Sequence, residues 1–192
     1  VKGDEIKEMS MRERLIQAGI TDLNKNGTKN FSVRRIAAIC GISCAAPYKH
    51  FRDKQDFLLA IIRYIDHLWD GRQQKVLETV QGDTRKRIVA VSVEYVRFLV
   101  ENPHFRSVIM LQDSDLDEDY VEIRRRLNQK SKDLVGEYCA SVGMTMQVQN
   151  FKVFVVRSLI YGASLMMDNE SMEYNEENLE MVASAIDREF DL

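Results

Sequence analysis

Residues that interrupt helices are scarce in this chain: two prolines and nine glycines in 192 residues leave long stretches free to coil. No period-two alternation with turn punctuation is present, so β structure is not expected. Cysteine is also rare, and Cys40, Cys44 and Cys139 form an odd set without CxxC spacing, as expected of reduced thiols and not of a disulfide framework. His50, His67 and His104 are scattered, with no HxxxH or HExxH pair, so no metal site is expected. The most apolar stretch, Val153 to Met167, is interrupted by Arg157 and too short to span a bilayer. The opening "VKGDEIKEMSMRERL" lacks the apolar core and small-residue cleavage site of a signal peptide, which makes a cytoplasmic protein the expectation. With no GxSxG, phosphate loop or metal spacing, neither an enzyme nor a cofactor is expected. No internal repeat or low-complexity tract occurs.

What is present suits a helical protein with a real core: 45% of residues are hydrophobic and 30% charged. Charge is unevenly placed. Residues 1–56 carry 11 Lys and Arg against 7 Asp and Glu, while the rest carry 16 against 23. A basic head on an acidic body suits a polyanion that meets only the head, against the plainer reading of chance variation in surface charge.

Ser10 with Glu13 forms a capping-box pattern, and Ile16, Ile20 and Leu23 recur at helical spacing until Asn26 and Gly27 end the run. Ser32 can cap a short second helix striped by Val33, Ile36, Ala37 and Cys40 and ended by Gly41. After a turn of Gly41, Ile42 and Ser43, the segment "CAAPYKHF" reads as a third helix, and Asp53 with Asp56 can cap a fourth through Leu68. Two short helices joined by a tight turn and packed on a longer one make a helix-turn-helix. Further helices are expected over Ile88–Val100, after Pro103, from about Asp117 to Val142, over Thr145–Met167 and over Asn175–Phe190, about nine in all. The acidic run "DSDLDEDY" (113–120) reads as a solvated loop feeding a helix N-terminus, with a cation site as the alternative, and "RRR" (124–126) as its ionic partner.

The stretch "FSVRRIAAICGISCAAPYKHFRDKQDFLLAI" resembles the tetracycline-repressor-like (TetR) family of transcriptional regulators. The resemblance is carried by Ser32, Ile36, Ala37, Gly41, Ser43, Tyr48, His50, Phe51 and Lys54, and covers about a quarter of the chain. It implies an all-α fold: a three-helix DNA-binding domain over 1–56 and a helical ligand-binding and dimerisation domain over 57–192. Gly19 and Asp22 stand where the family often has Ala and Leu, a departure expected to loosen the first helix. Pro47 replaces a bulky aliphatic, and two accounts of it are open. With Ser43 as N-cap, Pro47 is the fourth helical residue and distorts the first turn; otherwise the regular helix begins at Pro47, where a fixed φ helps.

A recognition helix enters the major groove N-terminus first, so small leading residues bring its backbone near the bases. Cys44, Ala45 and Ala46 are expected to touch thymine methyl groups and Lys49 to make a polar base contact. Arg34 and Arg35 open the helix that crosses the DNA backbone. The resemblance places Ser32, Tyr48, His50 and Lys54 at common phosphate-contacting positions, while Phe51 belongs to the core. It also implies a homodimer formed by the last two helices, with Ser158, Gly162, Ala163, Leu179, Val182, Ile186 and Phe190 as candidates; the alternative is that these residues complete the monomer core. An inducer cavity is implied in the body, with Tyr95, Phe98, Phe105, Met110, Tyr138 and Phe151 as its lining, suited to an apolar or aromatic small molecule. The expected function is that of a ligand-released repressor on a palindromic double-stranded DNA operator, with no membrane involvement. A helical adaptor whose head binds protein is the competing class, separable by the salt dependence of DNA binding.

Overall fold

Helix α1 (Met11–Asn26) begins where the Ser10 hydroxyl accepts the Glu13 N–H at 3.3 Å and the Glu13 carboxylate accepts the Ser10 N–H at 2.8 Å, a closed capping box. In the computed structural model, which describes residues 9–109 and 129–191, every regular element is helical: eight α-helices and one short 3₁₀ segment. Helix α2 (Val33–Ile39) is capped by Ser32 and stops at a Schellman turn, with Gly41 at φ +70° and the Ile42 and Gly41 N–H groups donating to the Ala37 and Ala38 carbonyls.

The third element departs from expectation. It is a 3₁₀ segment of four residues, Ala46–Lys49, entered through Ala45 without a side-chain cap, so Ser43 does not cap it. The second account of Pro47 lies nearer the structure: it is the second residue of the segment, where a missing N–H costs nothing, and its ring is buried. His50 and Phe51 both donate their N–H to the Pro47 carbonyl, which closes the segment after one turn.

Helix α3 (Lys54–Thr79), capped by Asp53, spans 26 residues and links the head to everything after it. The expected boundary between residues 56 and 57 falls in its first turn, and Phe57 is fully buried in the head, stacked on Phe51 with ring centres 4.0 Å apart. Helix α4 (Thr84–Glu101) is the hub of the body, packing against α3, α6 (Gln129–Ser141), α7 (Met146–Asp168) and α8 (Glu176–Arg188). Helix α5 (Pro103–Ile109) leans on α1, where Asn24 Nδ2 and His104 Nδ1 lie 3.0 Å apart. The helix expected from Asp117 is described only as α6; Met110, the acidic run 113–120 and the arginines 124–126 lie outside the described residues.

Both sequence departures in α1 tighten the fold. A Cβ on Gly19 would come within 2.7 Å of Ile61 Cδ1 and 3.2 Å of the Phe57 ring, so the glycine lets α1 and α3 approach closely. Asp22 is 2% exposed and binds the start of α2 to α1.

Candidate nucleic-acid interface

The α1–α2 junction is organised by the Asp22 carboxylate. It accepts the Ser32 N–H at 3.1 Å, the Asn26 side-chain amide at 3.1 Å and two N–H groups of the Arg35 guanidinium, one at 2.8 Å from Nη2 and one from Nε. Burial pushes the Asp22 carboxyl up, but the hydrogen bonds from Arg35 and the Ser32 backbone and the charge of Arg35 outweigh it and hold the group below its ordinary value. Arg35 also donates to the Asn30 carbonyl at 2.7 Å. Arg35 was expected at DNA; its fork is committed to the head itself, because a buried carboxylate needs a bidentate partner. Its neighbour Arg34 is exposed and makes no hydrogen bond or ion pair with another described residue.

Beyond the Gly41 turn the chain presents a blunt tip. Cys44, Ala45, Tyr48, Lys49 and His50 are exposed and Ala46 is half-buried, so the small residues do lead the segment. Tyr48 is 55% exposed, and neither its hydroxyl nor the Lys49 ammonium nor the His50 imidazole hydrogen-bonds to another described residue. Phe51 is core, as expected, wedged against Phe57 with the Arg12 guanidinium 5.4 Å from its ring centre. Ser32 serves as the α2 cap, its hydroxyl accepting the Arg35 N–H at 3.3 Å. Lys54 stands at the first position of α3 and donates to the Thr28 carbonyl at 3.0 Å, 6.0 Å from the Phe31 ring centre. Arg52, passed over in the sequence, is a further exposed cation beside the tip, 3.9 Å from Asp56.

In the body, a narrow cavity opens between α4, α6 and α7. Of the described residues expected to line it, only Tyr95 does. Phe98 and Phe105 pack in an aromatic core with Trp69, their ring centres 5.7 Å apart, and Tyr138 donates to the Phe190 carbonyl at 2.7 Å and stands edge-on to that ring. Phe151 is 62% exposed on the outer surface. Arg157 and Lys132 line the cavity together with Ser131 and Tyr161; Arg157 was visible in the sequence as the charge interrupting an apolar run. Burial, and then the adjacent Tyr161 phenol, hold the Tyr95 phenol well above its ordinary value, so it stays protonated.

The residues expected at a dimer seam divide. Leu179, Val182, Ile186, Phe190 and Ala163 are all buried within the chain, the alternative allowed by the sequence. The single apolar stripe of α8 is consumed against α4 and α7, and Arg85 of α4 clamps it by donating to the Asp187 carboxylate at 2.6 and 2.8 Å and to the Phe190 carbonyl at 3.1 Å. Ser158 and Gly162 face outward instead. They continue an exposed stripe on α7 through Phe151, Phe154 and Leu165, at helical steps of three and four. The Ser158 hydroxyl donates back to the Phe154 carbonyl at 2.9 Å, and a Cβ on Gly162 would meet nothing within 4 Å.

Comparison with known proteins converges on this head. Residues 15–61 match the family described as bacterial regulatory proteins, tetR family. The HTH-type transcriptional repressor KstR2 of Mycolicibacterium smegmatis is 30% identical over 127 residues, 63% of this chain and 60% of that protein. The HTH-type transcriptional regulator BetI of Yersinia pestis is 33% identical over 82 residues, 42% of this chain and 41% of its own length. The chain therefore spans less than two thirds of either relative's length. A TetR family transcription regulator from Marinobacter aquaeolei shares the fold along almost the whole length, with a TM-score of 0.76 at 20% identity, covering 93% of this chain and 94% of that one.

Proposed function

We propose that this chain, whose helix-turn-helix head belongs to the tetR family of bacterial regulatory proteins, is a transcriptional repressor that binds a palindromic operator as a homodimer and is released from it by a small molecule. The observation that carries the reading is the head's tip. The side chains of Tyr48, Lys49, His50 and Arg34 project from the base with no hydrogen bond or ion pair to another described residue, while Phe51 and Arg35 anchor that base from within. Rigid placement with unsatisfied donors at the rim is what phosphate and base-edge contact requires.

Cys44, Ala45 and Ala46 let the backbone of the tip approach the bases and meet thymine methyl groups; Lys49 supplies the polar base contact. Tyr48, His50, Arg34 and the outward face of Ser32 act on phosphates, and Lys54 adds charge at the start of α3. One head covers one half-site, so useful affinity calls for two, spaced by about one helical turn of roughly 34 Å. The outward stripe of α7 supports the pairing: exposed aromatic and aliphatic side chains flank a small-residue centre where a second copy can pack closely. A molecule in the body cavity favours a head spacing that no longer fits the duplex, and the operator is released.

Selection of bound duplexes from a random DNA pool tests this directly. A palindromic consensus bound by a dimer, with affinity falling steeply with salt, is the expected result. Replacing its thymines by uracil weakens binding if the tip reads methyl groups. Purified chain that ignores every duplex at low salt would reject the proposal.

A further inference from the structure

Among the described residues, the body cavity carries charges of one sign only. Arg157 and Lys132 are among its lining residues and no aspartate or glutamate is. Arg157 lies 5.8 Å from the Tyr161 ring centre, is paired with no carboxylate of the described residues, and projects its field onto the Tyr95 hydroxyl. Tyr95 is 5% exposed, yet its hydroxyl makes no hydrogen bond among the described residues. With only the neighbouring Tyr161 phenol beside it, this buried hydroxyl is placed to donate to an acceptor that enters the cavity. The rest of the lining is hydrocarbon, from Ile88, Val91, Val135, Val156 and Ile160, and the space between these walls is narrow.

We propose that this cavity takes a slender amphiphilic anion, an unbranched acyl chain ending in a single carboxylate, with the chain along those aliphatic walls and the carboxylate held by Arg157 and the Tyr95 hydroxyl. The assignment rests on reading the cavity as the effector site and names the chemistry of its ligand. A neutral chain would gain nothing from Arg157, which water already solvates, and a cation would face two like charges. One carboxylate accepts from a guanidinium and a phenol at once, and Lys132 with the Ser92, Ser131 and Tyr161 hydroxyls are the remaining donors of the lining.

The protein carries its own reporter. Trp69, the only tryptophan, packs against the Tyr95 ring with centres 4.4 Å apart. The full chain is titrated with decanoate, decanol and decylamine, each below its micelle concentration, following Trp69 emission and melting temperature. Decanoate is expected to shift both and to bind at least about tenfold more tightly than decanol, with decylamine weakest. Arg157→Gln, an exposed substitution, is expected to fold normally and to bring decanoate down to the affinity of decanol. Tyr95→Phe is expected to bind decanoate several-fold more weakly. No binding by decanoate, equal affinity for decanoate and decanol, or an undiminished preference in Arg157→Gln each overturns the assignment. Decanoate that binds with this pattern but leaves operator affinity unchanged upholds it and rejects the release step proposed above. Loss of the operator to some other molecule, with no decanoate binding, does the reverse.

Discussion

Adjacent arginines in the head do opposite work. Arg34 is solvated, while Arg35 neutralises a carboxylate that is 2% exposed, and so substitutions separate recognition from stability. Arg34→Ala should leave the urea midpoint unchanged and flatten the slope of log affinity against log salt by about 1, as expected for loss of one phosphate contact. Arg35→Ala should cost about 2–3 kcal/mol of folding stability, because Asp22 keeps its burial and loses its counter-charge. Asp22→Asn tests the same pair from the other side. The folded carboxyl lies below its unfolded value of 3.8, so the stability it contributes is fully present above that pH and is lost as pH falls through the folded value. Denaturant unfolding should therefore show Asp22→Asn about 2 kcal/mol less stable than the parent at neutral pH, with the gap closing below pH 3.8. An equal gap at both pH values would mean that the pair contributes by packing and not by charge.

Among the helices, α7 separates outer surface from core. Phe154 is 66% exposed whereas Phe190, held by the Arg85 clamp, is fully buried. Phe154→Glu should leave monomer unfolding within about 0.5 kcal/mol of the parent. It should weaken self-association by about 2–4 kcal/mol, roughly 30- to 1,000-fold, as seen by sedimentation equilibrium. Phe190→Ala should instead cost about 3–5 kcal/mol of folding stability. Which residues fall in which class was only partly legible in the sequence. Three caps were legible because they are local: Ser10, Ser32 and Asp53 each accept a backbone N–H at the start of a helix. The outer face of α7 was not, because "FKVFVVRSLIYGASLMM" is apolar almost all round and periodicity alone cannot choose a side. The 3₁₀ form of the tip escaped for a different reason: Pro47 was seen to disturb a helix, but only packing of its ring decides that a single turn survives. The Asp22–Arg35 and Arg85–Asp187 pairs join residues 13 and 102 positions apart, and spacing in sequence carries no sign of either.

At the scale of the whole molecule, head and cavity share α3. Near its start, Phe57 and Ile61 press on Gly19; farther along, Trp69 touches Tyr95 and the buried Gln73 donates to Ser131 at 3.0 Å, both partners lining the cavity. Under the proposed function, separate points on one helix face the operator-binding head and the effector cavity, and coupling between the two sites must be reciprocal: effector would lower operator affinity by the same factor by which operator lowers effector affinity. Factors of about 5–150 are usual for such coupling. Gln73→Met removes the hydrogen bond to α6 while nearly conserving volume, and Ser131, which is half-buried, can turn to water. Its expected signature is a coupling factor that falls toward one in both directions, with operator affinity in the absence of effector kept. Calorimetric titration of effector with and without operator, paired with operator titration with and without effector, measures both factors. If Gln73→Met leaves both unchanged, the signal passes along α3 through the Trp69–Tyr95 contact alone, and Trp69→Leu should then abolish it.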